Sequence, residues 1–163
     1  KIRIITWPGA CEVHELFSAD DVEALREAHP GVVILAHPEC PPDVLESADF
    51  AGSTAALANY VKDESPAKVV LLTECSMSDN VAAENPGVDF VRPCNLCPHM
   101  KQITLENILD CLIEMKHEVT IEETVRVQAK AAIDAMLALP KMATPLAFET
   151  GLKPMDIEVI SPN

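Results

Sequence analysis

Apolar positions along the chain fall into two patterns, and the contrast predicts the elements. Residues 2–6, 32–36, 68–72 and 88–91 are short runs rich in Val, Ile and Leu. The runs at 32–36 and 68–72 are continuous rather than alternating, which suits parallel strands covered on both faces. Between the runs the spacing is helical. Ser18, Asp20 and Asp21 supply a cap and first-turn acids for a helix carrying Val22, Leu25 and Ala28, closed by His29-Pro30-Gly31. Pro41-Pro42 opens a short helix to about Ala48, Gly52-Ser53-Thr54 opens another through Leu57 and Val61, and residues 80–84 form a short one ended by Asn85-Pro86-Gly87.

After a loop at 94–100, Thr104 caps a helix with a stripe of Leu105, Ile108, Leu109, Leu112 and Met115. A strand at 118–121 and a long helix at 122–139 follow, and Pro145, Gly151, Pro154 and Pro162 mark 140–163 as an irregular tail. His29 and His117 fall at helix ends and read as caps. Strand and helix alternating with short connections predict an α/β fold, three αβα layers around a parallel sheet with right-handed crossovers.

Composition narrows the function classes. Against 12 Lys and Arg stand 26 Asp and Glu, a net charge of -14, and the basic residues are scattered singly. Such a surface repels nucleic acid at long range. With 48% apolar residues there is material for a core, and 13 prolines against 5 glycines exclude collagen-like or linker sequence. No apolar run nears the roughly 20 residues of a bilayer span, so a soluble, non-membrane protein is expected. No basic start and apolar core opens the chain, and a reducing, cytoplasmic setting is therefore expected. There the six cysteines, at 11, 40, 75, 94, 97 and 111, serve as core thiols, metal ligands or redox groups.

In open parallel sheets ligands bind beyond the carboxyl ends of the strands. The four apolar runs lead, in turn, into Cys11-Glu12-Val13-His14, His37-Pro38-Glu39-Cys40, Thr73-Glu74-Cys75 and Cys94-Asn95-Leu96-Cys97-Pro98-His99. Thiols, imidazoles and carboxylates thus converge on one sheet edge. His37 and Glu39, two apart on an extended segment, share a face and form a candidate acid/base pair. The plainer reading is a loop cap beside a solvated carboxylate. Ser53 and Thr54, at a helix start, offer amides and hydroxyls to a carboxylate or phosphate, or simply cap the helix. Cys94-x-x-Cys97 alone is half a zinc site, a redox pair or chance. Cys40 and Cys75 stand at strand ends as further possible ligands, Cys111 reads as a core thiol, and His14 and His99 remain candidates within the cysteine-bearing loops.

Taken together, Pro8-Gly9-x-Cys11-x-x-His14, His37-Pro38-Glu39, Gly52-Ser53-Thr54, Thr73-Glu74 and Cys97-Pro98-x-Met100-Lys101 resemble quinolinate synthase in order and spacing, over about residues 1–139. The resemblance implies condensation of iminoaspartate with dihydroxyacetone phosphate to quinolinate in NAD biosynthesis. It implies a 4Fe-4S cluster on three cysteines with one iron open as a Lewis acid. It also implies an upstream enzyme supplying iminoaspartate, L-aspartate oxidase or aspartate dehydrogenase. By motif, Cys11 and Cys97 are similar to two cluster ligands, and Cys94 to a neighbour of the cluster. His37 and Glu39 resemble the substrate-facing pair, with Glu39 moving the proton. Ser53 and Thr54 resemble the residues that hold a substrate carboxylate or phosphate, and His14 lies near the cluster.

The family has three αβα domains around a pseudo-threefold axis, with one cluster cysteine in each. On that plan residues 1–16 end the second domain, 17–100 form the third, 101–139 are a C-terminal helical region and 140–163 a tail. The chain is then a C-terminal portion lacking the first ligand, and it is expected to be inactive alone. The alternative is a non-catalytic zinc or iron-sulfur redox module of αβα type.

Overall fold

The structure, a computed structural model, describes residues 2–5, 9–93, 95–139 and 157–160. In chain order the elements are β1 (Ile2–Ile5), a 3-10 turn (His14–Leu16), α1 (Ala19–Ala28), β2 (Val33–Ala36), α2 (Pro42–Ser47), β3 (Phe50–Ala51), α3 (Thr54–Glu64), β4 (Lys68–Leu72), α4 (Cys75–Glu84), β5 (Asp89–Val91), a second 3-10 turn (Met100–Gln102), α5 (Leu105–Glu114), α6 (Glu123–Leu137) and β6 (Ile157–Ile160). They divide into two units. One is Gly9–Ile103, and the other combines Lys1–Pro8 with Thr104–Asn163.

The unit Gly9–Ile103 is a four-stranded parallel sheet in the order β3-β2-β4-β5. Alternation along the central strands fills two cores. Ile34 and Ala36 of β2, with Val70 and Leu72 of β4, pack with Phe17, Val22 and Val44 from the side of α1 and α2. Leu35, Val69 and Leu71 pack on the other face with Leu57 and Val61 of α3 and Val81 of α4. These are the three layers expected from the continuous apolar runs. Ser18 closes the start of α1 with a capping box, its hydroxyl accepting from the Asp21 amide while the Asp21 carboxylate accepts from the Ser18 amide.

In this unit β3 and α4 differ from the sequence reading. The chain between α2 and α3 contains β3, two residues long, held because Asp49 exchanges hydrogen bonds with Ile34 through its backbone amide and its carboxylate. Helix α4 begins at Cys75 instead of residue 80, because Glu74 caps it by accepting from the Ser76 amide at 2.7 Å.

The order of strands locates the crevice. From β2 the chain steps outward to β3, then crosses back over β2 to β4, so the winding reverses between β2 and β4. Beyond the carboxyl ends of these two strands lies the crevice that such a reversal opens. The His37 amide still reaches across to the Leu72 carbonyl, 3.2 Å, which fixes the end of β2 against the end of β4.

In the other unit β1 pairs in parallel with β6, from Ile2 with Ile157 to Ile5 with Ile160. The sequence reading placed 140–163 in an irregular tail; of those residues the structure describes 157–160, which form this strand. Thr104 and Asn107 form a capping box on α5, and Glu122 caps α6 through the Thr124 and Val125 amides. The strand expected at 118–121 does not form. Met115 and His117 both take left-handed backbone conformations, and beyond them Val119 and Ile121 are exposed with no neighbouring strand among the described residues. Cys111, read as a core thiol, is half-buried and donates to the Lys116 carbonyl. Among the described residues no helix is long and apolar enough to cross a membrane.

Candidate active site

Four loops of the unit Gly9–Ile103 meet at the crevice. The 3-10 turn carries His14 into the interior, 7% exposed, because buried Val13 and Phe17 on either side draw this segment on to the sheet. Its Nε2 shares a 3.1 Å hydrogen bond with the Thr73 hydroxyl, a buried residue directly after β4. The His37 ring stacks on it, centroids 4.4 Å apart and planes inclined by 15°.

Glu39 faces both rings with one oxygen. Its Oε2 is 3.2 Å from His14 Nδ1 and 3.6 Å from His37 Nδ1. The pair His37 and Glu39 therefore meets as the sequence predicts, but by a different route. Residues 37–40 are a turn closed by the Cys40 amide on the His37 carbonyl, with Pro38 fixing its first corner, where the sequence reading assumed an extended segment. The Glu39 amide also donates to His37 Nδ1 at 3.3 Å, which makes that nitrogen the acceptor of the ring.

Burial lowers the pKa of His14, the adjacent His37 lowers it further, and Glu39 opposes both. His14 is accordingly a neutral imidazole near pH 7. Its Nδ1 is buried, and its one polar neighbour among the described residues is the Glu39 carboxylate at 3.2 Å. The Cys11 sulfur, a His14 nitrogen and a Glu39 oxygen lie within 4.8 Å of one another, a donor set able to hold a metal.

Cys97 stands on the neighbouring loop and, like Cys11, is free and half-buried. Its sulfur accepts from the Met100 amide at 3.5 Å. Glu12, next to Cys11, meets His99, two residues after Cys97, at 3.0 Å, so the two thiol-bearing loops lie side by side. These thiols are the donors that suit a metal or iron-sulfur group. Cys40 does not fit that role: it is 4% exposed, donates to the Leu72 carbonyl, and burial pushes its pKa up to about 11. Cys75 is buried and disulfide-bonded, contrary to the free thiol expected in a reducing compartment. Cys94 lies outside the described residues.

Ser53 and Thr54 follow β3, whose Ala51 pairs with Ala36, so the same sheet edge carries them next to the end of β2. Ser53 caps α3 by accepting from the Ala56 amide, and both residues are exposed. Gly52 before them has no room for a side chain: a Cβ there would lie 2.7 Å from the Phe50 ring and 2.9 Å from Ala56.

Thr73 as the partner of His14, and the Glu12–His99 contact, were not assigned by sequence. Thr73 does sit in a recognisable motif position at a strand end, but its pairing spans 59 residues and no local pattern reports it.

The sequence matches the family described as quinolinate synthetase A protein over residues 1–138. The chain belongs to the quinolinate synthase family. It is 60% identical over 139 residues to quinolinate synthase of Agrobacterium fabrum, covering 85% of this chain and 40% of that protein. Quinolinate synthase 1 of Mesorhizobium japonicum is 64% identical over 137 residues, 84% of this chain and 42% of that protein. Quinolinate synthase of Caulobacter vibrioides is 52% identical over 148 residues, 91% of this chain and 40% of that protein. The chain thus spans about two fifths of the length of these curated relatives. Within the quinolinate synthase motifs, Cys11, His14, His37 and Glu39 are gathered into one cluster, with the Cys97 loop beside it.

Proposed function

We propose that this chain supplies the third αβα domain, 17–100, together with the end of the second, 1–16, the helical region 101–139 and the tail 140–163, of a cytoplasmic quinolinate synthase. The intact protein condenses iminoaspartate with dihydroxyacetone phosphate to quinolinate, for NAD biosynthesis. Iminoaspartate comes from an upstream L-aspartate oxidase or aspartate dehydrogenase. Atom balance sets the other products, one phosphate and two waters, so the reaction needs proton transfers and loss of hydroxide-like leaving groups.

The observation that carries this reading is the buried His14 nitrogen beside Cys11 and Glu39. Cys11 and Cys97 are the thiolates that would hold a 4Fe-4S cluster, the third coming from the part of the relatives that this chain does not span. When bound, the cluster supplies an open iron, a Lewis acid for a substrate oxygen or nitrogen. Glu39, half-exposed at the rim and against two imidazoles, is the proton-transfer group, and His37 sets its orientation through the turn. His14 faces the substrate as a neutral ring held by Thr73. Ser53 and Thr54, at the exposed start of α3, bind a substrate carboxylate or phosphate with hydroxyl and amide hydrogens. On this division the isolated chain is inactive.

One observation favours a second reading. A thiol, an imidazole and a carboxylate within 4.8 Å also suit a single zinc ion in a non-catalytic redox module. Full-length protein, purified without oxygen and given both substrates, decides between them. Quinolinate formed together with phosphate supports the synthase, whereas bound zinc with no product supports the module.

A further inference from the structure

The loop that carries Cys97 is fastened on both sides of the thiol. Before it, Asn95 pairs with Glu74 in an isolated parallel bridge, and its carbonyl accepts from the Cys75 amide at 3.2 Å. After it, the chain folds back, with the Lys101 amide donating to the Cys97 carbonyl at 3.1 Å. The Lys101 side chain then reaches 25 residues back in sequence to the start of α4. Its ammonium donates to the Ser76 hydroxyl at 2.7 Å and lies 3.7 Å from Glu74 Oε1.

Glu74 is an unusual choice for this place. Ser or Asp caps a helix with less chain to order, yet here a carboxylate is buried to 7% exposure. A buried charge requires compensation. Glu74 finds it in the Ser76 amide and the positive end of α4 on one oxygen, and in the Ser76 hydroxyl and the Lys101 ammonium on the other. The longer side chain is what allows one residue both to cap α4 and to face Lys101.

We propose that Glu74 and Lys101 are positioning residues for Cys97, a clamp that seats the Cys97 turn on the start of α4 and sets the sulfur before any metal arrives. A pre-set donor loses less freedom on binding, which is how supporting residues tune a metal site. The proposal rests on the reading of Cys97 as a metal ligand, but the clamp itself is measurable without metal.

The test is the rate of alkylation of each cysteine, mapped by mass spectrometry, in full-length protein freed of metal by an anaerobic chelator. Lys101→Met speeds alkylation of Cys97 about tenfold by letting the turn open, and Cys11 stays within about twofold. Lys101→Arg, which keeps the charge and donors, restores the parent rate. Glu74→Gln, which keeps the cap but not the charge, shifts Cys97 in the same direction as Lys101→Met. In protein loaded with iron and sulfide, Lys101→Met also changes the electron paramagnetic spectrum of the reduced site. Unchanged Cys97 rates in both the Lys101→Met and Glu74→Gln variants, an equal rise at Cys11, or failure of Lys101→Arg to restore the rate would overturn the clamp. Parent protein that binds no iron and sulfide would overturn the cluster, while the alkylation rates would still decide the clamp.

Discussion

Three cysteines at one sheet edge have two different fates, and the difference is local solvation. Cys11 and Cys97 are free and half-buried beside polar partners, whereas Cys40 points back into the core with Val22, Ile34 and Leu72. Burial raises the Cys40 pKa from 9.0 to about 11. The folded state therefore holds a proton that the unfolded state gives up above pH 9. The stability contributed by this thiol is full below pH 9 and is lost as pH climbs toward 11. Urea midpoints measured across that range should fall for the parent, and Cys40→Val should flatten that dependence. Glu39 is the other decisive side chain. Glu39→Gln keeps its size and removes its base. In the full-length protein quinolinate formation should fall about 10²- to 10⁴-fold, with iron and sulfide content unchanged. Activity within a few-fold of the parent would remove Glu39 from proton transfer.

Elements whose signals are local could be read from the sequence almost residue by residue. Strand β4 spans the run from Lys68 to Leu72, α1 begins at the Ser18 cap, and α5 begins at the Thr104 cap. Where the signal is tertiary the pattern fails. Strand β3 is two residues held by Asp49 against Ile34, and 118–121 has strand-forming residues but no strand to pair with among the described residues; α4 starts early on Glu74, a less common cap than Ser or Asp. The site divides in the same way. Motif order supplied Cys11, His14, His37 and Glu39; the turn that joins His37 to Glu39 is a local one that Pro38 signals, but the hold of Thr73 on His14 depends on distant segments meeting in space. Gly52 shows how tightly these joints fit. Gly52→Ala should destabilise the protein by about 1–3 kcal/mol, because the Phe50 ring and Ala56 must give way to the new methyl. A shift of the urea midpoint with an unchanged slope would report it. An Ala variant as stable as the parent would mean that the joint relaxes freely.

Across the chain, the acidic surface and the proposed anionic substrates pose an apparent conflict. A net charge of -14 would repel the phosphorylated and carboxylated substrates proposed above. The proposed resolution is local: the start of α3 would offer amides and hydroxyls, and an iron held by Cys11 and Cys97 would act as a Lewis acid toward the substrates. On this proposal the division of labour requires the cluster, and the cluster would require both thiol-bearing loops. Iron and acid-labile sulfide per chain, determined on anaerobically purified full-length protein and its single-cysteine variants, tests this most directly. The account predicts iron and sulfide in equal amounts in the parent and in Cys111→Ala, and loss of both in Cys11→Ala and in Cys97→Ala. Zinc without sulfide in the parent, or a full complement of iron and sulfide after loss of Cys97, would contradict it.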